Sequence, residues 1–206
     1  MRTQILTSTI TIILLAISSS SCKTNDPQAY SVDSTANNSA SIELTVEEEQ
    51  EIEKNIKRLE KEGYCWGCDL RGANLRYFTW ERVNLAGSDL RGADLTGVIL
   101  DYADLRGADL TGAKLIYASL WNSKLTDAIL TKADLTEANL KGANLTRAKL
   151  IDADLTRAKL IDADLTGAVL TDANLTRADL KGTKIALETL QTADYKGALV
   201  YDMDTQ

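Results

Sequence analysis

Residues Leu145 to Asp164 read LTRAKLIDADLTRAKLIDAD, ten residues written twice without a change. Ten extra residues inside a packed globular core would displace every side chain behind them, so this segment must belong to a structure that lengthens by repetition. The leucines define the unit. Leu145, Leu150, Leu155 and Leu160 stand five apart, and the same spacing finds Leu at 22 of the 24 positions from 70 to 185, the exceptions being Trp80 and Ile185. Two residues before each lies a small residue, as at Ala73, Ala93, Ala103, Ala108 and Ala113, commonly with Asp or Asn between. A period of five fits neither the 3.6 of an amphipathic helix nor the 2.0 of a strand. The repetition is therefore the architecture.

The recurring GANL, GADL and DADL segments, as in GSDLRGADLTGVILDYADLRGADLTGAKL at Gly87 to Leu115, resemble the pentapeptide-repeat proteins over about 116 residues. The resemblance implies an all-β solenoid, a right-handed quadrilateral β-helix with one pentapeptide per side and twenty residues per coil. Leu and the small residue then point inward and the other three point outward. About six coils are expected over residues 64–185, or roughly 29 Å at an inter-strand spacing of about 4.8 Å. Each buried Leu contributes roughly 1.5–3 kcal/mol before entropy is subtracted, so 22 of them make a sufficient core. Ten residues are two sides of such a coil, so the duplication keeps every Leu inward and turns the later coils by half a revolution. Lys149 and Lys159, though copies, fall on opposite sides. Residues twenty apart share a side, which predicts a ladder of Thr136, Thr156 and Thr176 with hydroxyl pairing on an exposed sheet.

Solenoid ends expose sheet edges and must be covered. Residues 44–63 supply one cover: Thr45 and Glu48 form a capping box, Glu crowds the first turn, Lys and Arg the last, Gly63 stands at the stop, and Ile52, Ile56 and Leu59 share one face. This predicts an N-terminal capping α-helix. After Ile185 the pattern loosens, Ala186 to Gln191 suit a short helical turn, and Tyr195 and Val200 return to the register. Residues 186–206 are thus read as a short C-terminal cap and tail.

The N-terminus reads as an export signal over residues 1–21: a basic start, an apolar run from Ile5 to Ile17 and small residues before Cys22. The run is short of the roughly 20 apolar residues that span a bilayer. Small residues directly before a cysteine resemble the bacterial lipobox, with Ser19 where that motif usually has Leu, so Cys22 is the candidate lipidation site. Residues 22–43 are polar, hold the single proline and read as a flexible tether. The expected location is the periplasm or cell envelope, with membrane contact through the N-terminal lipid.

Cys65 and Cys68 in GYCWGCDL are the remaining cysteines. Either they close a small disulfide loop in an oxidising compartment, or Cys68 simply fills the small inward slot two before Leu70. Without a second CxxC or any histidine they do not make a zinc site, and no βαβ pattern supports a thioredoxin-like role. The absence of histidine also removes the commonest general base, and no nucleophile elbow or phosphate loop occurs, so neither an enzyme nor a cofactor is expected.

Some pentapeptide-repeat proteins mimic B-form DNA and bind gyrase, so the resemblance offers a DNA-mimicking inhibitor or protector of a DNA enzyme as the alternative function. Such a mimic needs an acidic rod. Residues 69–185 hold 16 basic and 16 acidic side chains; the net charge of −7 arises outside them. A neutral rod makes a poor phosphate decoy, and no nucleic-acid partner is expected. The reading is a structural or protein-binding module with an unknown protein partner; a homodimer is compatible with these residues. The candidate contact is aromatic: Tyr102 and Trp121 on one side in adjacent coils, with Tyr117 at the neighbouring corner. Trp66, Tyr77, Phe78 and Trp80 are expected to pack around the first coil and the helix.

Overall fold

The computed structural model describes residues 43–201; the expected signal segment, Cys22, the tether through residue 42 and the last five residues lie outside them. From Tyr64 to Leu199 the chain makes parallel bridges between residues twenty apart, such as Tyr64 with Asn84, Asp109 with Ile129 and Asp179 with Leu199. Four pentapeptides thus complete one coil. The bridging residue is the one before each Leu, so each side of the coil is a very short strand segment and each corner a turn.

One pentapeptide accounts for all its backbone donors. The Leu110 N–H donates to the Ile129 carbonyl in the next coil (2.7 Å), Gly112 to Thr131 (2.9 Å), and Asp109 back to Ser88 in the previous coil (2.9 Å). Ala113 donates to Leu110 across the corner (3.0 Å). The fifth donor, on the residue after the Leu, has no backbone partner. Where Asp or Asn precedes the Leu, that side chain satisfies it: the Thr111 N–H donates to Asp109 Oδ1 (3.0 Å), and the same bond recurs at Thr136, Thr156 and Thr176. The polar residue of the repeat is therefore a turn-making side chain.

The corner also needs a left-handed residue. The second residue after each Leu has positive φ, as required by the turn class whose third residue is left-handed. Glycine fills this position at Gly107 and Gly112, while Lys132, Arg147 and Asp152 are among fourteen non-glycine residues held there.

Inside, the Leu positions from 70 to 180 and the alanines two before them form one apolar column system, nearly all of it inaccessible. Where a hydroxyl takes the small slot it finds a carbonyl: Ser88 Oγ donates to Cys65 O (2.6 Å) and Thr183 Oγ1 to Leu160 O (2.7 Å). The expected threonine ladder is different in kind. Thr136, Thr156 and Thr176 sit on a turn corner, and the Thr156 hydroxyl donates to Asp154 (2.6 Å) while accepting from Asn174 Nδ2 (2.9 Å). Asx chemistry, not hydroxyl-to-hydroxyl pairing, organises that corner.

Helix α1 spans Val46–Glu62, with the Thr45 and Glu48 capping box formed and Gly63 left-handed at its end. It buries Ile52, Asn55 and Leu59. Asn55 Nδ2 donates to the Asp69 carbonyl (3.0 Å), and Arg71 donates both to Asp69 and to Glu48 Oε1 (2.8 Å), tying helix to coil. The Cys65 and Cys68 sulfurs are joined in a disulfide, with Cα atoms 5.4 Å apart. Both residues face inward, Cys65 in the column of the leucines. Helix α2 is the single turn Leu187–Leu190; Asn174 bridges Asp194 beyond it, so the chain resumes its register. At this end the inward positions are open: Tyr195 and Val200 are each about two-fifths exposed, against none for Leu175 and Leu180.

Candidate functional site

The four sides differ in the residues they present. Three carry Asp or Lys at most of their central outward positions. On the fourth, the centre runs Thr79, Ile99, Ser119 and Asn139 before any charge appears, at Lys159. Its two bordering corners hold four exposed aromatic rings in the early coils.

On one border, Tyr102 and Trp121 touch, ring centroids 5.0 Å apart and planes tilted by 58°. Tilted contacts of this kind suit the aromatic quadrupole. Asp101 ties down the adjoining backbone, accepting the Trp121 main-chain N–H (3.1 Å) and the Ser119 hydroxyl (2.5 Å). The Arg82 guanidinium lies over the Tyr102 ring at 5.5 Å. On the other border stands Tyr117, 61% exposed.

Two coils before Tyr117, in the same corner column, stands Tyr77, and it is 68% exposed. It does not join the packing of the first coil; Phe78 and Trp80 stack there at 4.6 Å without it, and Trp66 is likewise exposed. The Tyr77 ring overlies Gly97, where an added Cβ would lie 2.5 Å from Cδ1. Arg76 caps the ring at 5.4 Å and pairs with Asp94 (3.2 Å). The signal for Tyr77 was available in its number, forty before Tyr117; its nearness in sequence to Phe78 and Trp80 obscured it.

The carboxylates do other work. Asp104 and Asp127 are held below the usual carboxylate range first by hydrogen bonds from the Arg106 and Arg147 guanidinium groups, so they stay ionised. Among the described residues no cluster of His, Cys, Asp or Glu could hold a metal ion, and no helix is long and apolar enough to cross a membrane.

A parallel four-sided solenoid with five residues per side defines a class of repeat protein. Matches to the family of pentapeptide repeats, eight copies in overlapping segments between residues 64 and 185, cover more than half of the chain, which belongs to the pentapeptide-repeat family. Members of this family form right-handed quadrilateral β-helices. Among solved structures, the chain is similar to HetL, a pentapeptide-repeat protein involved in heterocyst differentiation regulation from the cyanobacterium Nostoc sp. strain PCC 7120 (27% identity, 72% of this chain, 92% of that one, TM-score 0.36). It is similar to Rfr23 from the cyanobacterium Cyanothece 51142 (26% identity, 75% and 99%, TM-score 0.34). It is also similar to QnrB1, a plasmid-mediated fluoroquinolone resistance protein (18% identity, 68% and 72%, TM-score 0.49). No curated protein matches the chain.

Proposed function

We propose that the chain is a non-enzymatic binding module of the cell envelope, exported by residues 1–21, lipidated at Cys22 and carried on the tether 22–43. In this reading about six coils display the aromatic face, α1 covers the N-terminal end, and residues after 185 complete the other end. The observation that carries the reading is the concentration of Tyr77, Tyr102, Tyr117 and Trp121 around a strip whose centre is uncharged over four coils. Isolated exposed apolar residues need no explanation, but a contiguous aromatic patch on a polar surface marks a contact. Tyrosine and tryptophan are the side chains that concentrate binding energy in protein interfaces.

The DNA-mimic alternative is the weaker reading, since the 16 acidic side chains of residues 69–185 are matched by 16 basic ones. Two measurements test the preferred one. Intact mass under non-reducing conditions, on protein from its own cells, is expected to give a chain beginning at Cys22 with added acyl mass; an unprocessed chain would overturn export. A photo-crosslinking residue at position 117 is expected to capture a discrete partner that the same residue at 107, on another corner, does not; equal capture from both would overturn the aromatic contact.

A further inference from the structure

The corner bearing Trp121 continues beyond the aromatic patch. Residues stacked at intervals of twenty read Trp121, Lys141, Ile161, Lys181 and Tyr201: apolar, cationic, apolar, cationic, apolar. Both lysines are exposed, and among the described residues neither has an ion-pair partner. Lys181 Nζ lies over the Tyr201 ring at 5.4 Å. The nearby carboxylates are partly engaged: Glu137 pairs with Arg157 (3.2 Å), Asp179 accepts the Lys181 N–H (3.1 Å), and Asp162 lies against Gly182. Lys159 projects from the adjoining side. The solenoid is neutral in sum, yet this edge presents unpaired cations between apolar contacts.

The spacing selects the form of a complement. Like residues on the edge recur every two coils, about 9.6 Å, and unlike ones alternate every 4.8 Å. A β-strand laid along the edge presents one face about every 6.8 Å and falls out of step at once. On an α-helix, residues seven apart advance about 10.5 Å and residues three apart about 4.5 Å. A helix with an apolar residue at every seventh position and a carboxylate three residues later therefore keeps step over two heptads, slipping only about 2 Å. Its apolar residues meet Trp121, Ile161 and Tyr201, and its carboxylates meet Lys141 and Lys181.

We propose that the Trp121–Lys141–Ile161–Lys181–Tyr201 edge seats an acidic amphipathic helix presented by a protein partner. This rests on the reading of the aromatic face as a protein contact and adds the chemistry of the occupant. The probe is a fluorescein-labelled helical peptide of about three heptads, Leu at each first position and Glu three residues later. It is titrated with the full-length protein while anisotropy is read. Saturable binding is expected that weakens with added salt, falls about tenfold or more in the Lys141→Glu, Lys181→Glu double variant and is kept in the Lys141→Arg, Lys181→Arg variant. Trp121→Ala is expected to weaken it several-fold. All these positions are exposed, and circular dichroism checks that the variants fold. No saturable binding, equal binding of a scrambled peptide of the same composition, or indifference to charge reversal would overturn the proposal. Vesicles of phosphatidylglycerol and phosphatidylethanolamine serve as the competing surface; capture of the protein by them with the same lysine dependence, without peptide binding, would assign the edge to lipid instead. Crosslinking at position 117 is read separately, so a partner found there with no peptide binding leaves the aromatic contact standing and removes the helix.

Discussion

At the scale of single residues the fold asks two things of each pentapeptide, an inward Leu and a left-handed corner. A Leu at zero exposure such as Leu130 has no neighbour free to fill its place, so Leu130→Ala is expected to cost about 2–5 kcal/mol in urea unfolding. The corner behaves oppositely. Lys132 is held at φ 59°, where an L-residue bears about 1–2 kcal/mol of strain and glycine gives back only about 0.5–1 of that in chain entropy. Lys132→Gly is thus expected to stabilise the protein by up to about 1 kcal/mol, read as a higher urea midpoint with unchanged slope. The Leu spacing was wholly legible in the sequence because one residue type holds one position. The corner was only half legible: Gly107 and Gly112 mark it, but Lys132, Arg147 and Asp152 occupy it too, and strain of this size is absorbed because the corner N–H bonds to the next coil, as Lys132 does to the Ile151 carbonyl (2.9 Å). The Asx bond was likewise hidden, since Asp109 reads equally as a solvated charge until the Thr111 N–H is seen to lack any other partner.

Among the elements, α1 is joined to the solenoid by apolar and polar links at once, and the disulfide closes the first coil beneath it. Glu48 is held below its ordinary range first by the Thr45 N–H and then by Arg71, and Asp69 first by the Arg71 guanidinium. Carboxyls with depressed folded-state pKa values stabilise fully above their unfolded values and lose that contribution as pH falls through the folded ones. Protection of α1 amides in hydrogen exchange is therefore expected to decline as pH drops below about 4, and to do so less in Arg71→Gln, where Asp69 loses the largest cause of its shift and Glu48 keeps chiefly the Thr45 N–H. The Cys65–Cys68 loop is short, and the loop-entropy relation gives it only about 2 kcal/mol. Reduction should lower the unfolding temperature modestly and open α1 before the coils, which exchange measured with and without reductant would show. The capping box and apolar stripe of α1 could be read from sequence; the Asn55 bond to Asp69 could not, because an asparagine on a helix carries no local sign that a coil carbonyl will face it.

For the whole molecule, phase is the governing quantity. Deleting Leu145–Asp154 removes two sides, leaving every Leu inward but moving Lys181 to the corner opposite Trp121. Deleting residues 146–165, a full coil, preserves the alignment of everything beyond. Both variants are expected to keep the circular dichroism of the parent, while the half-coil deletion abolishes peptide binding along the edge and the full-coil deletion, which takes out Ile161 and sets Lys181 directly after Lys141, weakens it by breaking the alternation; a half-coil deletion that unfolds would show that the columns are not interchangeable. The aromatic face was legible in part at this scale. Tyr102, Tyr117 and Trp121 follow from counting by twenties, whereas Tyr77 was masked by its neighbours, and the alternation down the Trp121 corner becomes visible only when the chain is written one coil per line.

Because the core is the same Leu–Ala pair at nearly every level, it carries no address: any pentapeptide can sit above any other with little change in the packing. The surface is therefore free to be rewritten by gain or loss of units, each shifting all later residues by a quarter turn. In such a chain an insertion works like a click of a combination lock, leaving the mechanism intact while bringing a different set of outward residues into line. The exact doubling of LTRAKLIDAD is two such clicks, and it determines which side of the upper coils lines up with the Trp121 corner of the lower ones.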